Sequence, residues 1–171
     1  MKLMIASDIH GSAYYCRKLL DAFAMHKADR LLLLGDLLYH GPRNPLPEGH
    51  DPKAVASMLN AAKDKLLCVR GNCDCEVDQM VLDFPILAEY ALLCADGVTV
   101  FAAHGHNFNP DNLPPLHKGD VLANGHTHIP IIKDMNGFTY INCGSAALPK
   151  ENSPHSYIIM ENGQFALHEL K

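Results

Sequence analysis

Seven side chains able to share a pair of cations lie in five short polar clusters, each closing an apolar run. The clusters are Asp8-Ile9-His10-Gly11, Gly35-Asp36, Gly71-Asn72, Ala103-His104-Gly105 and Gly125-His126-Thr127-His128. If the apolar runs are neighbouring strands, the clusters meet at one sheet edge, where carboxylate, amide and imidazole donors can hold divalent ions. Asp8 and His10 are two residues apart, as are His126 and His128, so strand alternation would turn each pair to one side. The two oxygens of Asp36 suit a bridge between ions, Asn72 offers a neutral carbonyl oxygen, and His104 adds a nitrogen. Each cluster alone reads as an ordinary turn or a surface histidine. Their conjunction does not, and it points to metal-assisted hydrolysis of a phosphoester.

The elements that must position these groups follow from periodicity. Lys2 to Ser7, Leu31 to Leu34 and Leu66 to Val69 read as short buried strands. Ser12 caps a helical pattern through about Met25, with Cys16, Leu19, Leu20 and Phe23 at helical spacing, and Asp51-Pro52 opens a second helix carrying Val55, Met58, Leu59 and Ala62. This alternation predicts right-handed crossovers and a parallel sheet in the first half. Beyond it, Ile86 to Ala95 and Val98 to Ala103 flank Asp96-Gly97, Ile129 to Lys133 and Phe138 to Asn142 flank Asn136-Gly137, and Ser156 to Met160 and Gln164 to Leu170 flank Asn162-Gly163. Three such hairpin turns predict an antiparallel second half, with Val121 to Ala123 as a further strand. The assembly that buries both halves is an α/β four-layer sandwich, two β-sheets packed together with helices outside, as one domain over residues 1–171. Tyr39 to His50, rich in Pro and Gly, reads as a surface loop that can wall the site.

Composition narrows the class. The chain has 171 residues, 48% apolar and 19% charged, as in a globular enzyme rather than a disordered chain. Its net charge of −5 and scattered basic residues exclude a stripe that would track a long nucleic acid. The first residues are apolar only until Asp8, too briefly for a signal peptide, and no run reaches membrane length, which predicts a cytoplasmic protein. Six cysteines without framework spacing read as free thiols, with Cys16, Cys68 and Cys94 as small core residues.

The ordered set of Asp8/His10, Asp36, Asn72, His104 and His126/His128 resembles the signature of the calcineurin-like metallophosphoesterases, which runs D-x-H, G-D, G-N-H, H and G-H-x-H. The resemblance spans Asp8 to Ser145 and implies two mixed sheets flanked by helices. It further implies that Asp8, His10, Asp36 and His128 hold one ion while Asp36, Asn72, His104 and His126 hold the other. A donor set without thiolate favours Mn²⁺, with Fe²⁺, Zn²⁺ or Mg²⁺ as alternatives. The implied reaction is hydrolysis of a small phosphodiester by in-line attack of a hydroxide shared between the ions. Phosphomonoester or nucleotide pyrophosphate hydrolysis at the same site is an alternative, as is a non-catalytic scaffold of this fold. Where the family places a histidine after Gly-Asn, this chain has Cys73, which removes the expected leaving-group acid; His106 is the candidate substitute. Cys143 likewise departs from the family's N-P-G-S, at Asn142-Cys143-Gly144-Ser145. Arg70, and less so Arg17 and Arg43, are candidates to steady a phosphate. Apolar edge strands would allow a homo-oligomer.

Overall fold

The computed structural model describes residues 1–171. Its elements begin with β1 (Leu3–Ala6), α1 (Ala13–His26), β2 (Arg30–Leu33), α2 (Pro52–Ala61), β3 (Leu66–Cys68) and α3 (Glu76–Gln79). They continue with β4 (Ala91–Ala95), β5 (Val98–Ala102), β6 (Val121–Asn124), β7 (Ile131–Asp134), β8 (Thr139–Asn142), β9 (Ser156–Glu161) and β10 (Gln164–Glu169). Both predicted helix caps form: Ser12 accepts from the Tyr15 amide and Asp51 from the Ala54 amide, with Pro52 in the first turn. No helix is long and apolar enough to cross a membrane.

Two mixed sheets of five strands result, ordered β10-β9-β1-β2-β3 and β4-β5-β6-β8-β7. The predicted turns at Asp96-Gly97, Asn136-Gly137 and Asn162-Gly163 all join antiparallel neighbours. The first half is parallel as expected, β2 pairing in that sense with both β1 and β3, but the second half is not antiparallel throughout. The β9–β10 hairpin returns to pair with β1, and β5, β6 and β8 run parallel to one another. Hairpin turns fix only the strand that follows, and the long excursions around β6 leave room for parallel crossovers. The strand expected over Ile86 to Ala95 is also shorter, beginning at Ala91. Ile86 is instead pinned in the core, its amide donating to Gln79 Oε1 at 2.9 Å.

Alternation along the central strands builds the layers. On β1, Leu3 and Ile5 enter the space between the sheets while Met4 and Ala6 face the helices; Leu32 and Leu34 oppose Leu31 and Leu33 in the same way. The inter-sheet core also takes Val100, Ala102, Val121, Ala123, Ile158 and Met160. Helices α1 and α2 cover the outer face of the first sheet. The outer face of the second is covered by chain rather than helix, with Phe108 and Leu116 packing on Phe101 and Leu122. Among the cysteines, Cys16 and Cys143 are buried, Cys68 is half-buried and Cys94 is exposed, so the core assignment fails for Cys94, whose side chain faces outward from edge strand β4. Every cysteine is a free thiol.

Leu32 is fully buried between two sheets that are rigidly paired on both sides, so the site cannot collapse around a smaller residue. Leu32→Ala is expected to lower stability by about 3 kcal/mol, read as a shift in urea midpoint at constant slope.

Candidate metal centre

The strand ends deliver all seven predicted side chains to one place. Asp8 and His10 follow β1, Asp36 follows β2, Asn72 follows β3, His104 follows β5, and His126 and His128 follow β6. Strand alternation is not what aligns the pairs, because the strands have already ended. Asp8, His10, Asp36, His126 and His128 instead take left-handed backbone, with φ of 59°, 50°, 56°, 63° and 62°. Each such residue without a glycine costs about 1 kcal/mol or more and persists only where its surroundings over-determine it. Here the amide of Asp8 donates to Gly35 O at 3.1 Å and that of His10 to Asp36 O at 2.9 Å. Asp8 Oδ2 accepts from the His126 amide at 3.0 Å, and Ser145 Oγ donates to Asp8 O at 2.9 Å.

Backbone carbonyls fix the histidine tautomers. Nδ1 of His10 donates to Tyr39 O at 2.8 Å, that of His104 to Leu34 O at 2.6 Å and that of His128 to Leu148 O at 2.5 Å. Each neutral ring therefore presents a bare Nε2 to the centre. His10 Nε2 and His128 Nε2 lie 3.3 Å apart, and Asp8 Oδ1 is 3.4 Å from the first and 3.1 Å from the second. On the other side, His104 Nε2 faces Asn72 Oδ1 at 3.0 Å and His126 Nδ1 at 3.2 Å. Asp36 Oδ2 lies between the groups, 3.7 Å from His10 Nε2 and 3.6 Å from His104 Nε2.

These are acceptors turned on acceptors. Asp8 Oδ1 is buried with no hydrogen-bond donor, a costly state unless something positive sits against it. Donors about 2.1 Å from one ion and at right angles around it stand about 3 Å apart, which is the spacing found here. The clustered carboxylates and imidazoles thus fit divalent cations. In their absence, burial opposes charging of His10 but Asp8 outweighs it and raises its pKa. Asp8, in spite of burial, is held well below the usual carboxylate range by His10, His104 and His128.

A carboxylate outside the predicted set organises the turn at Asp36. Asp74, 2% exposed, accepts the amides of Asp36 at 2.8 Å and Gly71 at 2.8 Å on one oxygen, and that of Leu37 at 2.9 Å on the other. It thereby ties the end of β2 to the end of β3. Only its place after Gly71-Asn72-Cys73 hinted at this, since an Asp can accept its own turn's amides. Close packing adds to the constraint: a Cβ on Gly71 would collide with Asp36 Oδ1, and one on Gly125 with Ser7 Oγ.

The remaining predicted residues separate. Cys73 donates its amide to Asp36 Oδ1 at 2.8 Å, and its half-buried thiol faces the same cleft; burial, then the Asp36 charge, push its pKa up to about 12. The ring of His106 lies 5.4 Å from that of His104, but it lines a neighbouring hollow with Tyr140 and Thr127, and burial followed by His104 lowers its pKa. Arg70 turns away, its Nε donating to Asp74 O at 3.2 Å. Arg17 lies between α1 and α2 beside Leu20 and Met58, remote from the centre. Arg43, by contrast, lines the cleft of about 320 Å³ above Asp36, Asn72, Cys73 and His128. So does Lys150, which nothing in the sequence marked.

Asp74→Asn keeps the shape but turns one acceptor into a donor facing backbone amides. It is expected to weaken Mn²⁺ binding by about 10- to 100-fold in isothermal titration, with the fold retained by circular dichroism.

The profile of the Calcineurin-like phosphoesterase superfamily domain matches residues 1–164. Phosphodiesterase YfcE of Escherichia coli strain K12 is 48% identical over 162 residues, covering 95% of this chain and 88% of that protein. The solved structure of YfcE, a phosphoesterase from E. coli, superposes with a TM-score of 0.93 at 43% identity over 100% of both chains. Vacuolar Protein Sorting 29 from Cryptosporidium parvum shares the fold, with a TM-score of 0.64 at 16% identity over 98% of this chain and 95% of its own. With strand order, clustered donors and full-length matches in agreement, this chain belongs to the calcineurin-like phosphoesterase superfamily.

Proposed function

We propose that the chain hydrolyses small phosphodiesters in this cleft with two divalent ions, Mn²⁺ foremost, held by Asp8, His10, Asp36 and His128 and by Asp36, Asn72, His104 and His126. The observation that carries this reading is the meeting of bare Nε2 atoms and the undonated Asp8 Oδ1 in a buried centre. Bound there, the ions would acidify a water and draw charge from the phosphoryl oxygens. The protein's part is to hold the donors rigidly, so that little reorganisation accompanies the reaction. The complete donor set also argues against a non-catalytic scaffold. Its similarity to a curated phosphodiesterase supports the diester as substrate.

Cys73 shapes which esters react. A thiol, with a reference pKa of about 8.5, gives up its proton less readily than an imidazolium near 6.5, so departure of a poor leaving group receives less help from it. His106 is the candidate to assist from the adjoining hollow. A phosphomonoesterase reading has one observation in its favour: Arg43 and Lys150 line the cleft, where a dianion would gain from two cations. Under the diester reading, residues 1–171 work as one cytoplasmic domain. Exposed Ile131 and Ile132 on edge strand β7 and Leu92 on edge strand β4 support a homo-oligomer, and the acidic balance opposes a long nucleic acid as partner.

With added Mn²⁺, bis-p-nitrophenyl phosphate is expected to turn over at least tenfold faster than p-nitrophenyl phosphate; comparable rates would favour the monoesterase. Asp36→Asn and His104→Ala should each abolish turnover with the fold intact, and activity surviving in both would defeat the two-ion reading. Cys73→His should raise the rate on poorly activated diesters by about 10-fold or more if protonation of the leaving group is limiting. An unchanged rate would reject that explanation of Cys73.

A further inference from the structure

The two cations of the cleft stand apart from its floor. Asp8, His10, Asp36, His104 and His128 are all buried, at 3% exposure or less, whereas Arg43 and Lys150 are both exposed at the mouth. Neither Arg43 nor Lys150 has a carboxylate within ion-pair distance, although acids outnumber bases in the chain, and Asp36 at the floor is the one acid lining this cleft. Both are anchored by backbone close to the centre. Arg43 belongs to the loop whose Tyr39 carbonyl fixes His10, where the Asn44 side chain donates to His40 O at 2.8 Å. Lys150 donates its amide to His128 O at 3.2 Å.

A phosphodiester carries a single negative charge, and two divalent ions at the floor, even after the carboxylates of Asp8 and Asp36 are counted, would outweigh it. Two further unpaired cations at the rim are not needed to neutralise the scissile group. They match a second anion carried farther out on the same molecule, and a guanidinium and an ammonium lining one cleft mouth suit a dianionic phosphate. We propose that the substrate of this cleft bears a second phosphoryl group on one of its alcohol arms, held by Arg43 and Lys150 while the scissile phosphate lies on the floor. This rests on the reading of the floor as the phosphate-binding metal centre. It adds a substrate class, the phosphorylated diesters, and two residues that select it.

Binding separates this proposal from the hydrolase reading. The Mn²⁺-loaded protein is titrated calorimetrically with thymidine monophosphate, phosphorylated on the primary hydroxyl, and with thymidine bisphosphate, phosphorylated on both hydroxyls. The bisphosphate is expected to bind about 10-fold more tightly at low ionic strength, with the gap narrowing as salt is added. In the doubly substituted Arg43→Gln, Lys150→Gln protein the gap should close. It should survive in Arg43→Lys, Lys150→Arg, and in Lys133→Gln, which removes a cation from edge strand β7. Equal affinities in the unsubstituted protein would overturn the proposal. So would a gap that persists in the double glutamine variant, or an equal loss of both ligands there, which would assign the cations to the scissile phosphate. Failure to turn over bis-p-nitrophenyl phosphate, with the gap intact, would defeat the hydrolase reading alone.

Discussion

Nε2 of His10 and of His128 point at each other and at Asp8 Oδ1 across 3.1 to 3.4 Å, and with both Nδ1 protons committed to carbonyls no neutral form places a donor between them. His104 Nε2, likewise buried, faces the Oδ1 of the exposed Asn72 at 3.0 Å. Burying such a set is tolerable only if positive charge joins it, whether protons on the imidazoles or cations. The rest of the molecule is arranged to keep these lone pairs converging. That arrangement is the physical basis on which both the metal assignment and the chemistry depend.

Strain and its containment follow from the same constraint. Residues just past the strands must turn sharply to aim side chains inward, and for Asp8, His10, Asp36, His126 and His128 the turn is left-handed. A chain ordinarily relaxes such residues unless neighbours hold them. Here the restraints run between strand ends: Asp74 joins the β2 and β3 turns, the His126 amide locks Asp8, and Ser145 reaches back from the far end of β8 to the Asp8 carbonyl. The two sheets give this network its rigidity, since Leu3, Ile5, Leu32 and Leu34 interlock with the strands that carry His104 and His126. Pre-organisation of this kind places donors before an ion arrives.

Much of this was readable in the chain, for identifiable reasons. The helix caps at Ser12 and Asp51 and the turns at Asp96-Gly97, Asn136-Gly137 and Asn162-Gly163 are local signals, and local signals carry through to structure. Pairing of distant strands is not local. Nothing within residues 156–169 states that β9 lies against β1, and the short runs at β6 and β8 look the same whether parallel or antiparallel. The convergence of the seven side chains was legible because residue type and order constrain it. The means of convergence was not, because a left-handed φ at an Asp or His leaves no mark in the sequence. Asp74 and Lys150 escaped for a related reason: a buried carboxylate serving backbone amides and a lysine at a cleft mouth both look like ordinary surface charges until the loops are placed.

We propose that these donors form one site for two ions joined through Asp36. Electron paramagnetic resonance of the protein titrated with Mn²⁺ tests it directly, because neighbouring Mn²⁺ ions sharing a carboxylate couple their spins. Saturation at two ions per chain is expected, with the coupled spectrum appearing as the second ion binds. Saturation at a single ion, or two ions that keep the six-line signal of isolated Mn²⁺, would contradict it.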